Sequence, residues 1–154
     1  MKLKKQIPQL QSAHAILLFD GQYILQLRDN KPNIAVPGQW TLFGGMLAKG
    51  ETPLQSIQRE IFEELSIQPK KFQCLWFVDY IAEFEKEWIR SWFFSVNVKE
   101  VWSKHKLMEG QDVGIFLYDA IKTLKMPRVM RETIERFHEM ANGLGLKGKG
   151  VRKK

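Results

Sequence analysis

The chain has 154 residues, 44% of them hydrophobic and 27% charged, which is typical of one soluble globular domain, and its net charge of +7 favours anionic partners. The single cysteine, Cys74, excludes an internal disulfide, fits a reducing compartment and is interpreted as a small core residue. No apolar run reaches the length of a membrane span and no targeting signal is found, so we expect a cytoplasmic protein without membrane partners.

The first third of the chain predicts a β-hairpin, a loop and a further short strand. Its predicted strands are residues 13–19, 23–27 and 40–42. Asp20-Gly21 between the first two strands is a strong hairpin signal. Residues 28–38 contain two prolines and a glycine, so they predict a loop that leads to the third strand.

A helix is predicted to begin at Pro53, where a proline lacks only a hydrogen bond that the first turn would not make. Thr52 is a good N-cap, and Gln55 completes a capping box. The apolar stripe of this helix is formed by Leu54, Ile57, Ile61 and Leu65. Gln68-Pro69 is expected to stop it.

Three glutamates of this helix, Glu60, Glu63 and Glu64, lie at i, i+3 and i+4 and so share a face apart from the apolar stripe. Like charges at this spacing repel each other by about 0.2–0.5 kcal/mol per pair, so a cation is expected to offset them. Carboxylate oxygens suit Mg²⁺ or Mn²⁺, and no nearby Cys or His indicates zinc. The alternative is a solvated acidic face of the helix.

The rest of the chain predicts a long aromatic hairpin, a loop, a strand and a last helix. These are residues 72–84 and 88–98 with a turn at 85–87, then the loop 99–112, the strand 113–117 and the helix 127–141. This order predicts an α/β domain over residues 1–142, with a twisted sheet between helices. Residues 143–154 are basic and glycine-rich and are interpreted as a flexible tail.

The stretch from Gly45 to Ile67 resembles the Nudix box, whose pattern is G-x5-E-x7-R-E-U-x-E-E-x-G-U with U apolar. Ser66 alone departs from it, where the family usually has glycine. Serine costs about 1 kcal/mol in the left-handed conformation that this glycine takes, so we expect the helix to end differently, helped by Pro69. Weaker similarity extends to W-x-L-F-G-G before the box, with Phe43 at the family's usual proline, and to E-G-Q after it.

The resemblance implies the Nudix fold, an α/β/α sandwich with a mixed twisted sheet. It also implies metal-assisted attack of water on one phosphorus of a diphosphate. By resemblance Glu60, Glu63 and Glu64 bind Mg²⁺ or Mn²⁺ together with the backbone carbonyl of Gly44, and Glu60 is a candidate to orient or deprotonate the water. Glu109 matches a loop glutamate that serves as a further ligand or as the base, unless it is an ordinary solvated residue.

The remaining residues of the resemblance position the loop and the substrate. Arg59 is expected to pair with Glu51 and to hold the loop against the helix, while Gly45 permits a close approach of the backbone. Arg28 occupies a place where related enzymes have a phosphate-binding arginine, and the alternative is a solvated loop arginine. The three histidines lack ligand-like spacing and are interpreted as structural.

The sequence thus predicts a Mg²⁺-dependent hydrolase of a nucleoside diphosphate linked to another moiety, in the class of nucleotide sugars or nucleoside triphosphates. One alternative is a pyrophosphohydrolase that removes damaged nucleotides. Another is a non-catalytic domain that senses a nucleotide or RNA, although every carboxylate of the box is present. The partner is a nucleotide-type small molecule. Nucleic acid is a less favoured partner, through the basic tail, and the sequence leaves a homodimer open.

Overall fold

The structure, a computed structural model, describes residues 7–143, in which a seven-stranded sheet lies between helices. The strands are β1 (Leu10–Phe19), β2 (Gln22–Leu27), β3 (Trp40–Thr41), β4 (Phe43–Met46), β5 (Gln73–Ala82), β6 (Glu87–Asn97) and β7 (Asp112–Phe116). The helices are α1 (Pro53–Leu65), α2 (Tyr118–Ile121) and α3 (Arg128–Gly143), with one 3₁₀ turn at Trp102–Lys104.

The sheet is mixed, because β1 pairs with β6 in parallel while its other pairings are antiparallel. The strand order is β3-β2-β1-β6-β5, with β4 also paired to β1 and β7 to β2. The two predicted hairpins are present, and Asp20 and Gly21 both take positive φ in the first turn. Strand β1 therefore lies at the centre of the sheet, where it joins the first hairpin to the second through its pairing with β6.

Each face of the sheet carries its own apolar core, which makes the fold an α/β/α sandwich. On one face, Ile57, Ile61 and Leu65 of α1 pack with buried residues of β1 and β6. On the other, Met130 and Ile134 of α3 pack with a second set of strand residues. The predicted Nudix fold with a mixed sheet between helices is confirmed.

The predictions of local structure were incomplete or wrong at a few places. Residues 43–46 form a strand that was not predicted, and α2 and the 3₁₀ turn were missed. Cys74 is exposed rather than in the core, because it lies at the start of the edge strand β5 beside a register shift. Leu54 of the apolar stripe is also 42% exposed, since it lies in the first turn of α1.

The C-terminus of α1 also differs from the expectation. The helix ends at Leu65, and Ser66 takes the left-handed conformation that glycine takes in the box, with φ 58° and ψ 29°. Its N–H donates to the carbonyl of Phe62 over 2.8 Å, which satisfies one free carbonyl of the last turn. The helix therefore ends as it would with glycine, and Ser66 takes the strained left-handed conformation.

The predicted tail, residues 143–154, lies outside the described residues except for Gly143, which is the last residue of α3 as described. Within residues 7–143, no helix combines the length and the apolar character that crossing a bilayer requires.

Candidate active site

Strand β4 brings a backbone N–H to the acidic face of α1. Gly44 lies opposite His14 of β1 and has φ +147°, and a Cβ there would lie 2.1 Å from the carbonyl oxygen of Ala13. Only glycine fits this close approach of two strands. The N–H of Gly44 donates to Oε1 of Glu64 over 3.0 Å, so β4 directly holds one carboxylate of the helix.

Gly45 makes room for a second carboxylate of the helix. A Cβ at this position would lie 2.5 Å from Oε2 of Glu60, closer than nonbonded atoms approach. The missing side chain therefore lets the carboxylate of Glu60 lie against β4. Glu60 and Glu64, four residues apart on α1, both contact the strand through its two glycines.

Arg59 forms the predicted ion pair with Glu51 and also contacts two further glutamates. Its Nε and Nη2 donate to both oxygens of Glu51, at 2.6 and 2.9 Å, in a bidentate pair. Its Nη1 lies 3.2 Å from Glu60 and 3.1 Å from Glu63, and its Nη2 also donates to the carbonyl of Met46. One guanidinium thus joins the loop after β4 to the acidic face of α1.

The electrostatics separate Glu51 from the other carboxylates. Hydrogen bonds from Arg59 and from the N–H of Ala48 lower the pKa of Glu51 to about 2. Burial, followed by repulsion from Glu60 and Glu109, raises the pKa of Glu64 to about 9. Burial also raises the pKa of Glu60, against the opposing effect of Arg59. The helix glutamates Glu60, Glu63 and Glu64 form an acidic cluster, and its buried carboxylates therefore have too little positive charge nearby to balance them.

The loop before β7 brings Glu109 close to this cluster. The N–H of Met108 donates to the carbonyl of Glu64 over 2.9 Å, which attaches the loop to the end of α1. Gly110 has φ +88°, and a Cβ there would lie 2.9 Å from the carbonyl oxygen of Leu27. Glu109 between these two anchors is exposed, yet its charge raises the pKa of both Glu60 and Glu64.

Arg28, directly after β2, also lies near this cluster. Its positive charge lowers the pKa of Glu64, which places the guanidinium near the carboxylates. Its Nε and Nη2 both donate to the carbonyl of Ala35, at 3.2 and 3.1 Å, so the side chain also holds the loop 28–38. Gln111 in turn donates to the carbonyl of Arg28 over 2.8 Å. The guanidinium of Arg28 is therefore held at a place where an anion could replace the carbonyl of Ala35 as its hydrogen-bond partner.

A cleft of about 940 Å³ opens beside these residues and meets them at Gly44, Gly45 and Arg28. Its walls are the loop 28–38, the end of the β5–β6 hairpin and the start of α3. Most of the wall is apolar, and its size is that of a small-molecule site. Phosphate-bearing ligands could therefore enter it with their charged end at the acidic cluster.

The donor set fits a hard divalent cation such as Mg²⁺ or Mn²⁺. Carboxylates of Glu60, Glu63 and Glu64 share one helix face, Glu109 is close, and Glu64 is 2% exposed with little positive charge to balance it. Among residues 7–143 no three such groups already meet around one point, because Arg59 holds Glu60 and Glu63 while Gly44 holds Glu64. The carboxylates would leave these partners to share a cation.

A second polar group in the cleft was not predicted from the sequence. His14, Ser12 and Tyr80 line it, and Ser91 lies buried behind them. His14 was interpreted as structural, and burial followed by the charge of Arg28 lowers its pKa to about 4, so the ring is neutral. Alternation along β1 could have placed Ser12 and His14 on one face, but the parallel β1–β6 pairing carries no local sequence signal.

Comparison with known proteins extends over most of the chain, since a model described as NUDIX domain matches residues 9–137. The MutT protein from Methanosarcina mazei Go1 has a TM-score of 0.73 at 21% identity, over 88% of this chain and 97% of that chain. The MutT NUDIX hydrolase from Burkholderia pseudomallei has a TM-score of 0.64 at 23% identity, over 81% of this chain and 95% of that chain. The NUDIX domain of Shewanella oneidensis NrtR, complexed with ADP ribose, has a TM-score of 0.70 at 19% identity, over 89% of each chain. At these identities the structural likeness establishes the fold.

Proposed function

The chain belongs to the NUDIX domain family, and we propose that it is a catalytic member that uses Mg²⁺ or Mn²⁺ to cleave the diphosphate linkage of a nucleoside diphosphate joined to another moiety. The substrate is in the class of nucleotide sugars or nucleoside triphosphates. A cytoplasmic location stays a prediction of the sequence.

One observation carries this proposal: the buried carboxylate of Glu64, next to Glu60 and Glu109, at the mouth of a ligand-sized cleft. A buried carboxylate repelled by two others is costly to keep for structure alone, since each could be replaced by an uncharged residue. A divalent cation would remove this cost. The complete set of box carboxylates therefore supports a working metal site over a solvated acidic face.

Each residue then has a stated task. Divalent cations supply charge neutralisation on the phosphate oxygens and a lower pKa for water. Glu60, Glu63 and Glu64 would hold the cations, with the backbone carbonyl of Gly44 as a further oxygen. Glu109 or Glu60 would accept the proton of the attacking water. The choice between these two bases is open.

The loop residues act on geometry and substrate charge. Arg28 would bind a phosphate oxygen in exchange for the carbonyl of Ala35, which it now contacts through two nitrogens. Arg59 and Glu51 would keep the loop 46–51 against α1, and Gly45 would leave the space that the Glu60 carboxylate needs.

Identification of the products by chromatography tests the proposal, because cleavage of the diphosphate linkage yields phosphomonoesters or pyrophosphate. Purified protein would be assayed with Mg²⁺ or Mn²⁺ on nucleoside triphosphates, nucleotide sugars, ADP-ribose and dinucleoside polyphosphates, with and without excess chelator. Turnover that requires the cation supports the proposal, and full turnover in excess chelator contradicts it. Glu63→Gln and Glu64→Gln should each lower turnover by about 10²-fold or more. Glu139→Gln, an exposed change on α3, is the matched control.

A nucleotide-sensing domain is the second candidate, because the NUDIX domain of NrtR, similar in fold, was solved as a complex with ADP ribose. Such a domain would bind a nucleotide in the cleft without cleaving it. Calorimetric binding of ADP-ribose or a nucleoside triphosphate, together with no product after long incubation with Mg²⁺ and Mn²⁺, would favour the sensor over the enzyme.

A further inference from the structure

A chain of hydroxyl groups crosses the floor of the cleft. Oγ of Ser12 lies 2.6 Å from Oγ of Ser91, which lies 2.9 Å from the phenol oxygen of Tyr80. At the other end, Nδ1 of His14 lies 3.5 Å from Oγ of Ser12, the outer limit of a hydrogen bond. The chain thus runs from His14, beside Gly44, to Tyr80, near the end of the β5–β6 hairpin.

The sheet register fixes this chain. Ser12 and Ser91 are directly opposite each other in the parallel pairing of β1 with β6, and Tyr80 is one diagonal step away on β5. Ser12 and Ser91 are 2% and 0% exposed, so water does not compete for their hydrogen bonds. Apolar residues would be more stable at two such buried strand positions unless the hydroxyls have a task.

The hydroxyl of Tyr80 keeps hydrogen-bonding capacity for a ligand. A phenol can donate one hydrogen bond and accept others, and among the described residues its oxygen has the Oγ of Ser91 as its hydrogen-bond partner. If Ser12 donates to Ser91 and Ser91 donates to Tyr80, the phenol proton is free for the cleft. If Tyr80 instead donates to Ser91, the phenol oxygen presents a lone pair to the cleft.

The surrounding wall selects an uncharged group. The hairpin residues that line the cleft around Tyr80 include the apolar Val78, Ile81 and Ile89, and Phe84 is 52% exposed, available to stack on a ring. Of the ionisable residues at this hairpin end, Glu83 and Glu85 line the cleft, where they repel anions. A ligand whose phosphates lie at the acidic cluster of α1 would therefore place a neutral ring at Tyr80.

We propose that Tyr80 is a specificity-determining residue that reads a hydrogen-bonding atom of the uncharged moiety attached to the diphosphate, with Ser91 and Ser12 as positioning residues for its hydroxyl. This inference rests on the proposed function and identifies the part of the site that chooses the substrate. The moiety is a nucleobase or a sugar ring, without a phosphate of its own at that end.

The test compares kcat/KM of the wild type and Tyr80→Phe with Mg²⁺ on ATP, GTP, CTP, UTP, UDP-glucose, ADP-ribose and coenzyme A, which carries an extra phosphate on its nucleoside. The wild type should prefer one uncharged moiety and disfavour coenzyme A. In the variant, the ratio of kcat/KM between the best and the worst substrate with an uncharged moiety should fall by about 10-fold or more. The change should lie in KM, with kcat within about 3-fold, since Tyr80 does not contact the phosphates.

Two further variants separate recognition from a structural role. Ser91→Ala should shift the same ratio in the same direction, because Tyr80 then loses its partner. Tyr23→Phe is the matched control, since it removes another hydrogen-bonded phenol, paired with His138 over 2.7 Å outside the cleft. It should leave the ratio unchanged, and thermal melting of each variant would show that the fold is retained.

The outcomes distinguish this inference from the proposed function. If the wild type hydrolyses the panel without preference, if coenzyme A is the best substrate, or if Tyr80→Phe keeps the wild-type ratio, the inference is wrong while the enzyme proposal stands. If nothing is hydrolysed, the enzyme proposal fails, and calorimetric binding of the same panel replaces kcat/KM. Tyr80→Phe must then weaken the best ligand about 10-fold, and unchanged binding overturns the inference.

Discussion

Three carboxyl groups come together at the end of α1, because Glu60 and Glu109 both act on the buried carboxyl group of Glu64. Glu51, by contrast, accepts two hydrogen bonds from Arg59 and has a low pKa. Glutamates of the same loop and helix thus have pKa shifts of opposite direction. Their difference comes from burial and from the one arginine that lies between them.

The first prediction is a stability that depends on pH through Glu64 in the metal-free protein. Its pKa rises from 4.5 to about 9 on folding, so the folded state keeps a proton that the unfolded state loses. The contribution to stability is fully present below about pH 4.5 and is lost as the pH rises towards 9. In chelator, Glu64→Gln should therefore gain stability over the wild type with rising pH, by up to about 1.4 kcal/mol per pH unit.

Urea unfolding at several pH values between 5 and 9 measures this difference. Glu139→Gln on α3 should instead follow the wild type at every pH. Parallel curves for Glu64→Gln and the wild type would mean that the carboxylate is solvated in solution, contrary to its burial here.

The second prediction is that Glu109→Gln lowers kcat by about 10-fold or more, with a smaller effect on KM. Its loop is attached to α1 through the N–H of Met108 and to β2 through the N–H of Gln111, which donates to the carbonyl of Leu27, so the carboxylate stays near the acidic cluster. Steady-state kinetics with saturating Mg²⁺ checks the result against Glu100→Gln, an exposed change after β6. An unchanged kcat would leave Glu60 as the base.

At the scale of elements, α1 and β4 form the site together. The helix presents carboxylates at i and i+4, and the strand provides two glycines that let these carboxylates approach its backbone. The loop 28–38 and the β5–β6 hairpin complete the cleft from outside this unit. In the proposed function, chemistry and recognition therefore reside on different elements, so we expect that they can be changed separately.

The third prediction concerns the end of α1. Ser66 has φ 58°, so Ser66→Gly should raise the free energy of unfolding by up to about 1 kcal/mol, less the entropy that glycine adds to the unfolded chain. Thermal melting would measure it. The control is Gln58→Gly in the middle of the same helix, which should lower stability by about 1 kcal/mol. A loss of stability in Ser66→Gly would show that the serine side chain makes a compensating interaction.

On the scale of the whole molecule, both apolar cores, the acidic cluster and the cleft all lie within residues 7–143. Much of the net charge of +7 lies elsewhere in the sequence, at the two ends. We therefore expect residues 7–143 to suffice for the proposed catalysis on small nucleotides.

The fourth prediction is that deleting residues 144–154 leaves kcat/KM on small nucleotides within a few-fold of the full chain. These residues are glycine-rich and basic in sequence and lack an apolar pattern. A collapse of activity on small nucleotides would contradict the prediction. Loss on RNA alone, with a steep dependence on salt, would instead indicate a nucleic-acid partner bound through the tail.

Much of the fold and part of the site follow from local sequence signals. Asp20-Gly21 determines the first hairpin, and Thr52, Pro53 and Gln55 determine where α1 begins. Strand β4 was missed because Gly44 and Gly45 have low strand propensity, and it forms only because β1 pairs with it. Cys74 was misplaced because a hydrophobic run does not reveal that its strand lies at the edge of the sheet.

The sequence by itself determined the family resemblance, the acidic face of α1 and the pairing of Arg59 with Glu51, because these depend on residues close together in the chain. Only the tertiary structure decided that Glu64 is buried, that Glu109 lies beside it, and that Ser12 meets Ser91 under Tyr80. Glu64 and Glu109 are 45 positions apart in the chain, and Ser12 and Ser91 are 79 positions apart. These contacts depend on strand order and register, which periodicity within one strand cannot specify.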